Sequence, residues 1–149
     1  MNLLGIESSS RKLSVGLMKE ESFSELHSEK INDTANSLPI LSKKIINNAS
    51  LIFEDLDAIC ISSGPGSFTG LRVGMSYAKG IAMALDIPIV PVSTFDSLAC
   101  DSKSEKLSTL IFSHGSTFYI CEYSLDNGML LKTSKPKSIS MENVLELSH

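Results

Sequence analysis

The stretch Ser62-Ser63-Gly64-Pro65-Gly66-Ser67-Phe68-Thr69-Gly70-Leu71-Arg72-Val73-Gly74 constrains this chain more than any other, because it turns a buried strand into a helix through backbone angles few residues adopt. The run before it, Asp57-Ala58-Ile59-Cys60-Ile61-Ser62, is short, apolar and partly β-branched, the pattern of a strand covered on both faces. Gly64 and Gly66 flank Pro65, and Ser67 or Thr69 is placed to cap the helix that follows. Such a turn leaves amide groups at the positive end of a helix dipole, a seat for phosphate or carboxylate, or else it serves only to pack tightly. It is not a Walker loop, since no Lys-Ser/Thr pair follows the glycines. Nor is it G-x-G-x-x-G, since Gly64 and Gly66 are followed by Gly70.

When Gly70 to Leu85 are spaced about 100° apart, Arg72, Ser76 and Lys79 fall on one narrow strip, with Met83 among them. The apolar remainder spans roughly 220°, against the ~100° a helix needs to cover one face of a sheet, so two neighbours are expected. Gly70, Gly74, Ala78 and Ala82 recur every four residues, a ridge of small side chains that lets a helix approach near the lower end of the usual interaxial range of about 8–10 Å. That neighbour is either a sister helix of the same domain or a helix of a partner protein.

The 149 residues, 42% of them hydrophobic, suit one domain with a sizeable core, or one and a fraction. A formal net charge of -4 argues against direct grip on a nucleic-acid backbone, where a basic patch supplies most of the affinity. No apolar run approaches the ~20 residues of a membrane span, and the amino terminus lacks the layout of a signal peptide, so a cytoplasmic location is expected. Cys60, Cys100 and Cys121 stand singly in or beside apolar segments, as buried reduced thiols do. His27, His114 and His149 are scattered, with no H-x-x-x-H or H-E-x-x-H pair, so neither a metal site nor metallopeptidase chemistry is expected.

Along the chain, Asn2 to Ile6 and Leu13 to Met18 read as strands joined by the polar turn Glu7-Ser8-Ser9-Ser10-Arg11-Lys12, with Phe23 to His27 a third. Cap-rich Asp33-Thr34-Ala35-Asn36-Ser37 opens a helix to about Ala49, with Leu38, Leu41, Ile45 and Ala49 on one face and Pro39 in its first turn or at a kink. Asp86 to Val92 reads as another buried strand, and Ser93 caps a short helix through Cys100. After the hydrophilic break Asp101 to Lys106, Leu107 to Phe112 and Thr117 to Tyr123 read as strands around His114-Gly115; Asp126-Asn127-Gly128 makes a turn and Met141 to Leu147 a terminal helix.

These residues together resemble the TsaB (YeaZ) family, bacterial proteins that help make threonylcarbamoyladenosine beside the anticodon of tRNA. The likeness rests on G-P-G-S-F-T-G-L-R-V-G and I-P-I-V-P-V-S-T-F-D-S-L-A; it is specific over Asp57 to Ala99 and fair over Asn2 to Met18. It implies an α/β, actin-like ATPase (ribonuclease H-like) domain with a mixed sheet at 1–103, and a partial second domain, truncated or reduced, at 104–149. It implies a non-catalytic relative of TsaD that pairs with TsaD through helices of the first domain, the pair recruiting the ATPase TsaE. Alone, such a protein is expected to form a homodimer; tRNA is reached only indirectly, and no membrane is involved. The interface is expected on Gly70, Leu71, Gly74, Met75, Ala78 and Ala82 of the helix after the glycine turn, and on Leu38, Leu41 and Ile45 of the earlier one.

No catalytic residue, metal or resident cofactor is implied, and ATP enters only in a complex; the candidate nucleotide or anion contacts are Glu7, Ser8, Ser9, Ser10, Gly64 and Gly66. The chain departs from the family pattern in three places. Glu7 replaces the usual aspartate, Ser113-His114-Gly115 the usual Asp-Ala-Arg turn, and Asn36 the usual histidine before the first helix. The alternative function is an ATP-using phosphotransferase of the same fold, for which Glu7 alone is a candidate metal-binding carboxylate.

Overall fold

The computed structural model describes residues 1–146 in two compact units, the first Met1–Val92 and the second beginning at Ser93. In the first, β1 (Asn2–Glu7) pairs antiparallel with β2 (Ser14–Lys19), and β2 with β3 (Ser22–His27). After α1 (Thr34–Asn48), β4 (Ala58–Ser62) adds parallel to β1; after α2 (Phe68–Leu85), β5 (Ile89–Val92) adds parallel to β4. The five-stranded sheet therefore runs β3-β2-β1-β4-β5.

Alternation along the strands decides which face the helices cover. Leu4 and Ile6 pair with Leu17 and Val15 on one side and with Ile59 and Ile61 on the other, so all six point to one face, where they are buried. Leu38, Ile45 and Ile46 of α1 and Ala78 and Ala82 of α2 complete this core. The buried positions of α1 follow helical spacing, and Pro39 lies inside the helix. The carbonyl that loses its partner there belongs to Ala35, which is exposed to water. The α2 helix ends at Asp86, whose φ of 54° is left-handed and whose N–H donates to the Ala82 carbonyl.

The second unit holds α3 (Thr94–Ala99), β6 (Lys106–His114), β7 (Thr117–Asp126), β8 (Met129–Lys132), β9 (Lys137–Ser140) and α4 (Met141–Glu146). The ten-residue β7 is its spine. One edge pairs with β6; the other pairs with β8 over Tyr123 to Asp126 and with β9 over Thr117 to Ile120. The unit begins at Ser93, ahead of the 103/104 division expected, because Phe95 and Ala99 of α3 bury themselves with Cys121 and Tyr123 of β7. The sequence marks two strands there, and the described residues add β8 and β9; both are short and largely exposed, so no apolar alternation announces them. Leu147, the expected last residue of the terminal helix, lies outside the described residues.

A polar cluster fastens α3 to this sheet. The Tyr123 hydroxyl donates to Asp96 Oδ1 at 2.5 Å, and Lys132 Nζ lies 2.9 Å from the same oxygen. Burial by itself raises the Asp96 pKa, but the hydrogen bonds from Tyr123 and Lys132 outweigh it and hold the carboxyl below its ordinary value. A group with a lowered folded pKa contributes stability above its unfolded value, about 3.9, and loses it as pH falls through the folded one. Asp96 is half exposed, so the expected cost of Asp96→Asn or Tyr123→Phe at neutral pH is only about 1 kcal/mol. Urea unfolding of both variants checks this, and the deficit of Asp96→Asn should shrink below about pH 4.

Candidate functional site

The glycine turn and the serine turn after β1 meet. Ser67 is the N-cap of α2, its Oγ accepting the Gly70 N–H at 3.2 Å, while its own N–H donates to the Ser9 carbonyl at 2.6 Å. Thr69 lies within the helix. Ser8 N–H donates to Ser62 Oγ at 3.1 Å, which ties the end of β1 to the end of β4. Glu7 Oε1 accepts both donors of Ser9, the N–H at 2.6 Å and the hydroxyl. Ser10, exposed, donates from Oγ to the Lys12 carbonyl at 2.9 Å. The Gly64–Pro65 peptide is cis, and Gly64 has φ +96°, a conformation open to glycine.

Close approach explains Gly70 and Gly74 of α2. A Cβ on Gly70 would stand 2.2 Å from the Ser8 carbonyl oxygen, and one on Gly74 would stand 2.2 Å from Ser8 Oγ. Gly66 is equally confined, 2.3 Å from the Ser9 carbonyl oxygen. The small-residue ridge is thus a notch for the Ser8–Ser9 turn and β4, and the two neighbours of α2 are the sheet and α1.

This corrects the expected partner interface. Gly70, Gly74, Ala78 and Ala82 are buried inside the first unit, as are Leu38 and Ile45. Leu41, Leu71 and Met75 are half-buried, and Leu41 and Met75 pack on the same core. The outward residues are those of the opposite strip, which sequence reasoning passes over as polar. Phe68 is 68% and Met83 84% exposed on α2, and Ile40 is 66% exposed on α1. The Arg72 guanidinium lies 4.1 Å over the Phe68 ring, an i, i+4 cation–π pair that the helical spacing of the two residues already encodes.

Elsewhere, His27 Nδ1 is 2.6 Å from Ser14 Oγ with Nε2 3.7 Å from Glu25, and His114 Nδ1 is 2.9 Å from Ser113 Oγ. His149 lies outside the described residues. Among the described residues no group of three or more His, Cys, Asp or Glu could hold a metal ion, and no helix is long and apolar enough to cross a membrane. Cys121 is buried and Cys60 half-buried, its pKa raised by burial; Cys100 is exposed at the end of α3, contrary to expectation.

A mixed sheet of order β3-β2-β1-β4-β5 with two helices on one face, entered through paired turns after β1 and β4, defines an α/β domain of the actin-like, ribonuclease H-like class. The family model for TsaD, tRNA N6-adenosine threonylcarbamoyltransferase, matches residues 21–149. The chain is 28% identical over 151 residues to the tRNA threonylcarbamoyladenosine biosynthesis protein TsaB of Bacillus subtilis (strain 168), covering 99% of this chain and 66% of that protein. It is 30% identical over 149 residues to the TsaB of Buchnera aphidicola subsp. Schizaphis graminum (strain Sg), covering 97% and 70%. The solved structure of YeaZ from Pseudomonas aeruginosa superposes with a TM-score of 0.85 at 24% identity, covering 93% of this chain and 67% of that one. The chain belongs to the TsaB (YeaZ) family, and it spans about two thirds of the length of these relatives.

The notch makes opposite predictions for two glycines of one helix. Alanine is favoured over glycine in a helix interior by about 1 kcal/mol. At Gly80, where a Cβ meets nothing within 4 Å, Gly80→Ala should raise the melting temperature. At Gly70 the Ser8 backbone cannot yield, so Gly70→Ala should lower stability by about 1–3 kcal/mol despite the same propensity gain. Ala78→Leu should cost a similar amount, since Ala78 has no exposed surface. Thermal unfolding of the three variants checks the signs; a stabilised Gly70→Ala would refute the notch.

Proposed function

We propose that this chain works in tRNA threonylcarbamoyladenosine biosynthesis as a non-catalytic partner of a TsaD-like protein, acting by protein–protein contact. The observation that carries the reading is the outward surface of α1 and α2, where Ile40, Phe68 and Met83 stay uncovered although the core beneath them is closed. Aromatic, Met and Arg side chains are the ones enriched in protein interfaces, and Phe68, Arg72 and Met83 share one exposed strip of α2. Membership of the TsaB family supplies the kind of partner.

Two further features support a scaffold over the phosphotransferase alternative. The Glu7 carboxylate, the one candidate for a metal-binding role, is engaged by both donors of Ser9, and the Ser67 amide by the Ser9 carbonyl. The chain is also acidic, with a formal net charge of -4, so tRNA is reached through the partner. The same reading takes ATP as binding only in the complex, recruits a TsaE-like ATPase, makes the lone chain a homodimer through the α1/α2 surface, and places it in the cytoplasm.

Co-purification with the TsaD of the same cell tests this. Met83→Glu and Phe68→Glu should each lower the yield of the complex at least tenfold while leaving the melting temperature nearly unchanged, because both side chains point to water. Retention of the complex by both variants would remove α2 as the contact. A second check uses tRNA: the isolated chain should give no gel shift at submicromolar concentration and roughly 0.15 M ionic strength. A shift that persists there would place the RNA contact on this chain.

A further inference from the structure

We draw no further inference here: the strongest candidate, the outer edge of β6 in the second unit, which pairs with no further strand among the described residues and has Leu110 and Phe112 exposed beside it, carries nothing because nothing in the structure shows what covers it.

Discussion

The seating of the Ser8–Ser9 turn in the glycine notch of α2 is the contact on which the first unit depends. A chain that must lie this close to a neighbour cannot carry a Cβ at the point of approach: Gly66, in the turn before α2, meets the Ser9 carbonyl, Gly70 the Ser8 carbonyl and Gly74 the Ser8 hydroxyl. The approach also settles the backbone accounting of the turn. The Ser9 carbonyl takes the Ser67 amide, an orphan donor at a helix start, while Ser9's own donors go to Glu7. One side of α2 is thereby fixed against β1 and β4. Its rotation follows: Ala78 and Ala82 point inward with the glycines, and Arg72, Lys79 and Met83 must point out.

The two units are held by different means. The first has a broad apolar core, in which the inner faces of its two helices and the alternating residues of β1, β2 and β4 take part. Among the described residues the second has a smaller cluster, Phe95, Ala99, Cys121 and Tyr123 with Leu107, Ile111 and Leu130 packed against it, a modest area with which to position a six-residue helix. Directional contacts therefore carry more of the burden. Tyr123 contributes twice, its ring in the cluster and its hydroxyl on Asp96, and Lys132 reaches that same carboxylate from β8.

Most of the first unit is legible in the sequence because its elements carry strong local signals. Alternation marks β1 and β2, the helical stripe marks α1, and Ser67 caps α2 where the glycine turn ends. What periodicity cannot give is the identity of the neighbour on each face. Gly70, Gly74, Ala78 and Ala82 read equally well as a seat for another helix, since a ridge of small residues records that something comes close, not what it is. Only the long-range pairing of β1 with β4 brings Ser8 there. The same limit hides β8 and β9, whose four residues each gain their partners from the spare edge of β7 and not from any pattern of their own. The Asp96–Tyr123 bond joins residues distant in sequence, and nothing local to either announces it.

This division of labour bears on function. In the turn after β1, Ser9 and the start of α2 are engaged in holding β1 to α2: a carboxylate occupies Ser9, and a carbonyl occupies the first free amide of the helix, while the buried Ser8 hydroxyl has no hydrogen-bond partner. On the far side of the same helix a cationic Arg72 rests on an exposed Phe68, and Met83 stands clear of any cover. An arginine held on an aromatic ring keeps its guanidinium edge free while its stem and the ring form one apolar platform. Arginine and aromatic side chains of this kind are also the ones that most often anchor protein interfaces. The notch that turns the glycines inward is thus what turns this platform outward, so the packing that closes the turn and the exposure of the platform are two sides of one constraint.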